Sequence, residues 1–407
     1  MKKNRIGIIG LGARGYGLLC SVILPRDNVL VTAVCDLYPD RAEQAAEAVY
    51  KSCGTRPLVT TDYREITTSP NVDTVIIASS WESHIEIAIH SMENGKYTAC
   101  EVAGAYSLAD CFRLVETYER TGMHCMMLEN CCYGRKELMV TRMVREGLFG
   151  KIVHCAGGYH HDLRSEIAFG KENRHYRLRN YLGRNCELYP THELGPIAKL
   201  LDINRGNRMV SLVSMASCAR GMHEYLRDNQ KADPTLRDEI FMQGDIVTTV
   251  IQCALGQTIT LTLDTTLPRA YSRNFTVRGT KGMYEEATDS VFIDGKDNRF
   301  DFHWREKWGN AQEYQENYEH PLWKSFLSDG VRGGHGGMDW LVFDAFFASI
   351  ERGIAPPIDT YDMASWMAIT PLSEESIRHG GAPVAIPDFT HGNWTTQRAE
   401  TPWEYAL

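Results

Sequence analysis

The sequence predicts a two-part chain: an N-terminal α/β domain with a doubly wound parallel sheet, then an α+β domain built on a large, mostly antiparallel sheet. Three observations predict it. Strand-like and helix-like runs alternate through the first part of the chain. A glycine turn joins the first strand to the first helix. Beyond it, short strands follow one another, several across turn-length gaps. The expected division is 1–128 and 129–407.

Arg5–Ile9 reads as the first strand, Arg14–Ile23 as a helix and Val29–Cys35 as the second strand. Asp73–Ala78 is a continuous apolar run of the kind that parallel sheets bury on both faces, and an amphipathic helix follows from Ser83 to Glu93. Tyr97–Cys100, the helix Leu108–Thr121 and the strand His124–Leu128 complete the alternation, which implies right-handed crossovers. Lys136–Arg145 is a helix that stops at Gly147-Leu148-Phe149-Gly150. Ile152–Tyr159, Met209–Ser217, Val247–Ala254, Thr258–Thr265 and Asn274–Arg278 then read as strands, with Ala254–Gln257 a hairpin turn. Gly330–Gly337 is a tightly turned or mobile loop, and helices over Met338–Arg352 and Tyr361–His379 close the chain.

A net charge of −9 without any basic run excludes a polyanion such as nucleic acid, whose binding needs clustered Lys and Arg. The sequence has no apolar stretch long enough to cross a bilayer, so no membrane span is expected. Met1-Lys2-Lys3 runs directly into the first strand without a separate apolar region or cleavage site, which gives a cytoplasmic expectation. The 12 cysteines agree: they are scattered, with no CxxC pair or zinc spacing, so no metal site is expected. Cys131 and Cys132 read as two buried soft residues before redox chemistry.

Gly10-Leu11-Gly12-Ala13-Arg14-Gly15 is a GxGxxG with a strand ahead and a helix behind, the Rossmann setting. Gly10, Gly12 and Gly15 permit the tight turn, close approach of backbone to a pyrophosphate, and close helix–strand packing. Asp36 ends the second strand about 20 residues on, where an acid accepts from ribose hydroxyls and repels a 2′-phosphate. NAD is therefore expected over NADP. Arg14 has two open readings, a contact to pyrophosphate or adenine and plain exposure at a helix start.

Taken together these stretches resemble the glucose–fructose oxidoreductase, inositol dehydrogenase and rhizopine-catabolism family. That family ends its fifth strand in Glu-Lys-Pro, whereas this chain has Glu101-Val102-Ala103. A narrower branch shares the departure: the chain is similar to the NAD-dependent glycosidases of glycoside hydrolase family 109, the α-N-acetylgalactosaminidase-like enzymes. The matching stretches are Trp81–His84, Glu101-Val102, Glu129-Asn130, Tyr159–Asp162, Tyr189–His192 with Leu194–Pro196, and Gly336–Asp339. Tyr361–Trp366, Pro371–Glu374 and Pro387–Thr390 extend the match towards the C-terminus.

The resemblance implies Arg14, Asp36, Trp81, His84, Glu101, Val102, Asn130 and the Tyr189–His192 turn around NAD. Tyr159, Arg177, Tyr189 and Tyr271 then lie against a sugar. One departure is Glu193, which stands where the family more often has glycine. The chemistry implied is hydrolysis with no net redox change: hydride leaves C3, the resulting ketone acidifies C2, the C1 substituent is eliminated, water adds, and the hydride returns. Such a site needs bases. His192, Tyr189, Tyr159 and His161 are the candidates, because imidazole titrates near working pH (ordinary pKa about 6.5) and a cation such as Arg177 can lower a phenol from about 10. Tyr159 and His161 share one face of a strand and His160 takes the other. Trp308, Trp323 and Trp340 read as core packing before sugar stacking. The alternative activity is that of an NAD-dependent sugar or keto-glycoside dehydrogenase or lyase. A homo-oligomer is a further expectation, through the exposed face of the second sheet.

Overall fold

The computed structural model describes residues 3–396 and 403–407; Met1 and Lys2, the start of the charged leader-like stretch, lie outside them. The chain forms two compact units. One holds residues 1–130 and 330–365, the other 131–329 and 366–407.

In the first unit six strands form a parallel sheet: β1 (Asn4–Ile9), β2 (Val29–Cys35), β3 (Leu58–Thr60), β4 (Thr74–Ile77), β5 (Tyr97–Cys100) and β6 (Cys125–Met127). Their order is β3-β2-β1-β4-β5-β6, so the winding reverses between β1 and β4, the position at whose carboxyl rim such sheets bind ligands. All four residues of β4 are buried, as its unbroken apolar run requires. The helix Leu108–Thr121 starts on a Ser107 cap accepting from the Asp110 N–H at 3.2 Å and stops at Gly122, whose φ of +71° is left-handed. Pro39–Cys53, a helix with Pro39 in its first turn and Gly54 past its end, covers the sheet as well.

Two expectations change here. The first helix is α-helical only over Ala13–Leu18 and widens into a π segment at Leu19–Ile23, with the Leu24 N–H reaching the Leu19 carbonyl at 2.9 Å. The predicted helix Tyr361–His379 is two, Thr360–Met367 and Ile369–Arg378. Pro371 has no N–H for the Met367 carbonyl, so the first ends there, while a proline is tolerated in the opening turn of the second. By compactness, residues 330–365 group with the first unit and not with the rest of the second. The helix Met338–Arg352 buries Trp340, Leu341, Phe343, Phe346 and Phe347 and packs on the first unit. Arg26 lies 4.0 Å from the centre of the Trp340 ring and pairs with Asp344 at 2.5 Å.

The second unit is built on eight strands: β7 (Ile152–His160), β8 (Met209–Ala216), β9 (Ile246–Cys253), β10 (Thr258–Asp264), β11 (Thr276–Gly279), β12 (Gly282–Glu285), β13 (Ser290–Ile293) and β14 (Val384–Ala385). They lie in the order β13-β12-β11-β7-β10-β9-β8-β14, antiparallel except for the β7–β10 pair. β9 and β10 form the predicted hairpin around Gly256, and Val247, Ile251, Ile259, Leu261 and Leu263 fill one side. Ten consecutive residues of the helix Thr191–Leu200, which packs against β7, are buried.

Candidate active site

The glycine loop leaves β1 at Gly10, with φ at +91°. A Cβ at Gly10 would lie 2.3 Å from the Ser79 backbone nitrogen, and one at Gly15 would lie 1.9 Å from the Gly10 carbonyl oxygen. At Gly12 a Cβ would meet only the Arg41 side chain, at an ordinary contact distance of 3.5 Å, so that glycine is not sterically required by the fold. Gly12 caps the helix without a side-chain hydrogen bond, and its first turn carries no acid, which leaves the amides directed at an incoming anion. Asp36 is buried, its Oδ2 accepting from the Leu11 N–H at 2.6 Å and its Oδ1 from the Tyr38 N–H at 2.9 Å. A carboxylate so held is an oriented acceptor for ribose hydroxyls. These features fit a dinucleotide.

Around the carboxyl rim of the sheet the other expected cofactor residues take different roles. Trp81 opens a short turn after β4 and is buried. His84 is 1% exposed and sets Nε2 on the Ser79 carbonyl at 3.0 Å; burial lowers its pKa to about 4, so the ring stays neutral and anchors the turn after β4. Val102, which follows Glu101, is buried. Arg14 also has partners within the chain. It forks onto Asp339 (Nη1–Oδ2 2.8 Å, Nη2–Oδ1 2.9 Å) and gives a further bond to Glu101 Oε1 at 2.9 Å. Asn130 Nδ2 donates to Asp339 Oδ1 at 2.7 Å. Asp339 was the member missed; the Gly336–Asp339 motif was its signal.

In the second unit, strand alternation puts Tyr159 and His161 on one face, and the Tyr159 hydroxyl meets His161 Nδ1 at 2.9 Å. His160 takes the other face, registered with Asp264 of β10. The Tyr189 ring lies 4.3 Å from that of Tyr159. His192, in the first turn of the helix Thr191–Leu200, stands edge-on to both, 4.8 Å from Tyr189 and 5.3 Å from Tyr159. Arg177, buried at the start of the helix Arg177–Gly183, sits 5.3 Å from the Tyr189 ring and 5.9 Å from that of Tyr159, and pairs with Glu166 at 2.6 Å. Tyr271 is half exposed, 5.3 Å from His161. One cluster therefore gathers Tyr159, His161, Arg177, Tyr189, His192 and Tyr271. Of the nearby arginines, Arg184 pairs instead with Glu374 at 2.7 Å.

Electrostatics modifies one expectation. Burial raises the Tyr159 phenol above its ordinary value and outweighs the lowering by Arg177, so this tyrosine keeps its proton. Burial and then Arg177 lower His161, which favours the neutral ring, the form able to accept a proton. Glu166 was not anticipated, and neither was the network under the cluster. Glu193 is fully buried with Oε2 3.5 Å from Arg273 Nε; Arg273 also bonds Glu137 and the Cys131 sulfur, the latter at 3.1 Å. Gly157 makes the room, since a Cβ there would stand 1.9 Å from Glu193 Cγ. Cys131 and Cys132 are buried and are not joined in a disulfide. Trp323 and Trp340 are core residues, the former donating to the Tyr133 carbonyl at 2.9 Å, and Trp308 is exposed under Arg305.

Fold and site together define a protein of the nicotinamide-dinucleotide-binding oxidoreductase type with an added sheet domain. The family model for the NAD-binding Rossmann fold of the oxidoreductase family matches residues 4–129, and that for the C-terminal domain of glycosyl hydrolase 109 matches 133–396. A glycosyl hydrolase family 109 protein of Stenotrophomonas maltophilia is 38% identical, covering 98% of this chain and 91% of its own. Proteins named alpha-N-acetylgalactosaminidase from Tannerella forsythia and Shewanella oneidensis are 37% and 36% identical, over 96% and 97% of this chain and 87% and 86% of theirs. The chain belongs to glycosyl hydrolase family 109 and is a glycosidase. Among solved structures, myo-inositol 2-dehydrogenase from Lactobacillus plantarum shares the fold with a TM-score of 0.66 at 17% identity, covering 95% of this chain and all of its own. An inositol dehydrogenase homologue from Azotobacter vinelandii, solved with NADH and myo-inositol, gives 0.65 at 16% identity over 94% of this chain and 98% of its own. No described helix is long and apolar enough to cross a membrane.

Proposed function

We propose that the chain cleaves terminal α-linked N-acetylgalactosamine from glycosides with a resident NAD that is regenerated in every turnover. The observation that carries this reading is the gathering of Tyr159, His161, Tyr189 and His192 around the buried Arg177, in a chain whose fifth strand is followed by Glu101-Val102-Ala103 with no lysine. The sugar class is supported by the names of the two relatives. NAD over NADP is supported by Asp36, fixed by two backbone amides where a 2′-phosphate would be repelled.

The Gly10–Gly15 loop, Asp36, Trp81, Val102 and Asn130 would hold the cofactor, with His84 and Glu101 behind them. Bound there, NAD supplies a hydride acceptor at C3 of the sugar and the same hydride in return, so the net reaction is hydrolysis. The chain's own part is proton transfer. His192 takes the C3 hydroxyl proton, with Tyr189 beside it. His161, neutral and with its Nδ1–H donating to the Tyr159 hydroxyl oxygen, keeps Nε2 free to take the proton from C2, and a solvent-exchanged proton is returned there later. Arg177 orients both tyrosines, and Tyr271 meets the sugar from the open side.

Purified protein, with no NAD added, is incubated with an aryl α-N-acetylgalactosaminide while aglycone and reduced nicotinamide are followed. Release over many turnovers without net NADH is expected. Stoichiometric NADH without aglycone would favour the dehydrogenase and contradict this reading.

A further inference from the structure

Residues 330–336 form a thin segment of the first unit, exposed except for Gly334. Its backbone is unusual: Gly330, Gly333, Gly336 and Gly337 have φ of +93°, +79°, +66° and +102°, and His335 has +50°. Glycine supplies these conformations at no steric cost, and a segment with so little buried surface opens easily unless something fastens it.

Asp339, one turn along, is that fastening. Its carboxylate is buried and receives Arg14 of the glycine loop bidentately, Asn130 after β6, and His335 Nδ1 at 2.8 Å. Glu101, following β5, binds the same guanidinium. Gly334 is packed so closely that a Cβ would stand 2.5 Å from Asp339 Oδ2. The knot thus ties the segment to the chain following β1, β5 and β6, all at the carboxyl rim where this sheet type takes its dinucleotide. Arg14 is occupied by two carboxylates, so its charge serves the tie before any phosphate.

We infer that Asp339 and His335 form, with Arg14, a latch that fastens the 330–337 segment across the dinucleotide crevice and slows release of the cofactor. This rests on the resident-cofactor reading above, in which a cofactor regenerated each turnover has no need to leave. Charge-assisted forked pairs are among the strongest single ties a surface segment can have, so loosening this one speeds release about tenfold or more.

Wild type, D339N, H335Q and G334A are purified, and NAD liberated by denaturation is measured per chain after gel filtration. Loss of bound NAD is then timed in buffer containing an NAD-consuming trap, and thermal unfolding of each variant is recorded. Faster release from variants that unfold near the wild-type temperature is expected; should D339N fail to fold, H335Q at the exposed histidine and G334A decide. Wild-type protein that sheds its NAD at once would overturn the resident-cofactor reading, and the latch with it. Tight wild-type binding with equal or slower release from folded variants would overturn the latch alone; slower release would mean that Asp339 competes with the dinucleotide for Arg14.

Discussion

Tyr159 keeps its proton because burial outweighs the nearby guanidinium, and its hydroxyl oxygen holds His161 through Nδ1. Tyr159→Phe preserves the ring contact with Tyr189 and removes only this hydrogen bond. A fall in kcat of about a hundredfold is expected, with KM and thermal stability little changed; a rise in KM alone would make Tyr159 a sugar-binding group only. His161 gives the pH dependence its sign. Its folded value is below the ordinary one, so the active neutral form persists below pH about 6.5 and activity is lost on further acidification through that lowered value. In His161→Gln that acid limb should disappear from kcat/KM. At this scale much was legible: strand alternation alone pairs Tyr159 with His161 and turns His160 away. The role of Arg14 was not, because its partner Asp339 lies 325 residues along the chain.

Packing between β7 and the helix Thr191–Leu200 makes room for the buried Glu193 side chain. Gly157 and Glu193 fit as a matched pair, one lacking the atoms that the other adds. Gly157→Ala should destabilise by about 1–3 kcal/mol through overpacking, and most of that cost should vanish in a Glu193→Gly background. Urea unfolding of the double-mutant cycle measures this; equal costs in both backgrounds would refute the pairing. The hairpin around Gly256 and the apolar run of β4 could be read directly from local pattern. The parallel pairing of β7 with β10 could not, since nearly a hundred residues of helix and strand separate them and no turn signal records their direction.

At the scale of the molecule, local periodicity locates each sheet but not the return of 330–365 to the first unit, because an apolar helix carries no mark of which sheet it will cover. That return puts Asp339 on the glycine loop and makes a tethered cofactor physically sensible. A hydrolase that keeps its cofactor should betray itself in the carbon skeleton of its product. The decisive measurement is hydrolysis of an aryl α-N-acetylgalactosaminide in D₂O, with the liberated sugar analysed for deuterium at C2. Deprotonation and reprotonation there predict deuterium on C2 in step with turnover. Product with its original hydrogen at C2 would contradict the account and point to displacement between two carboxylates.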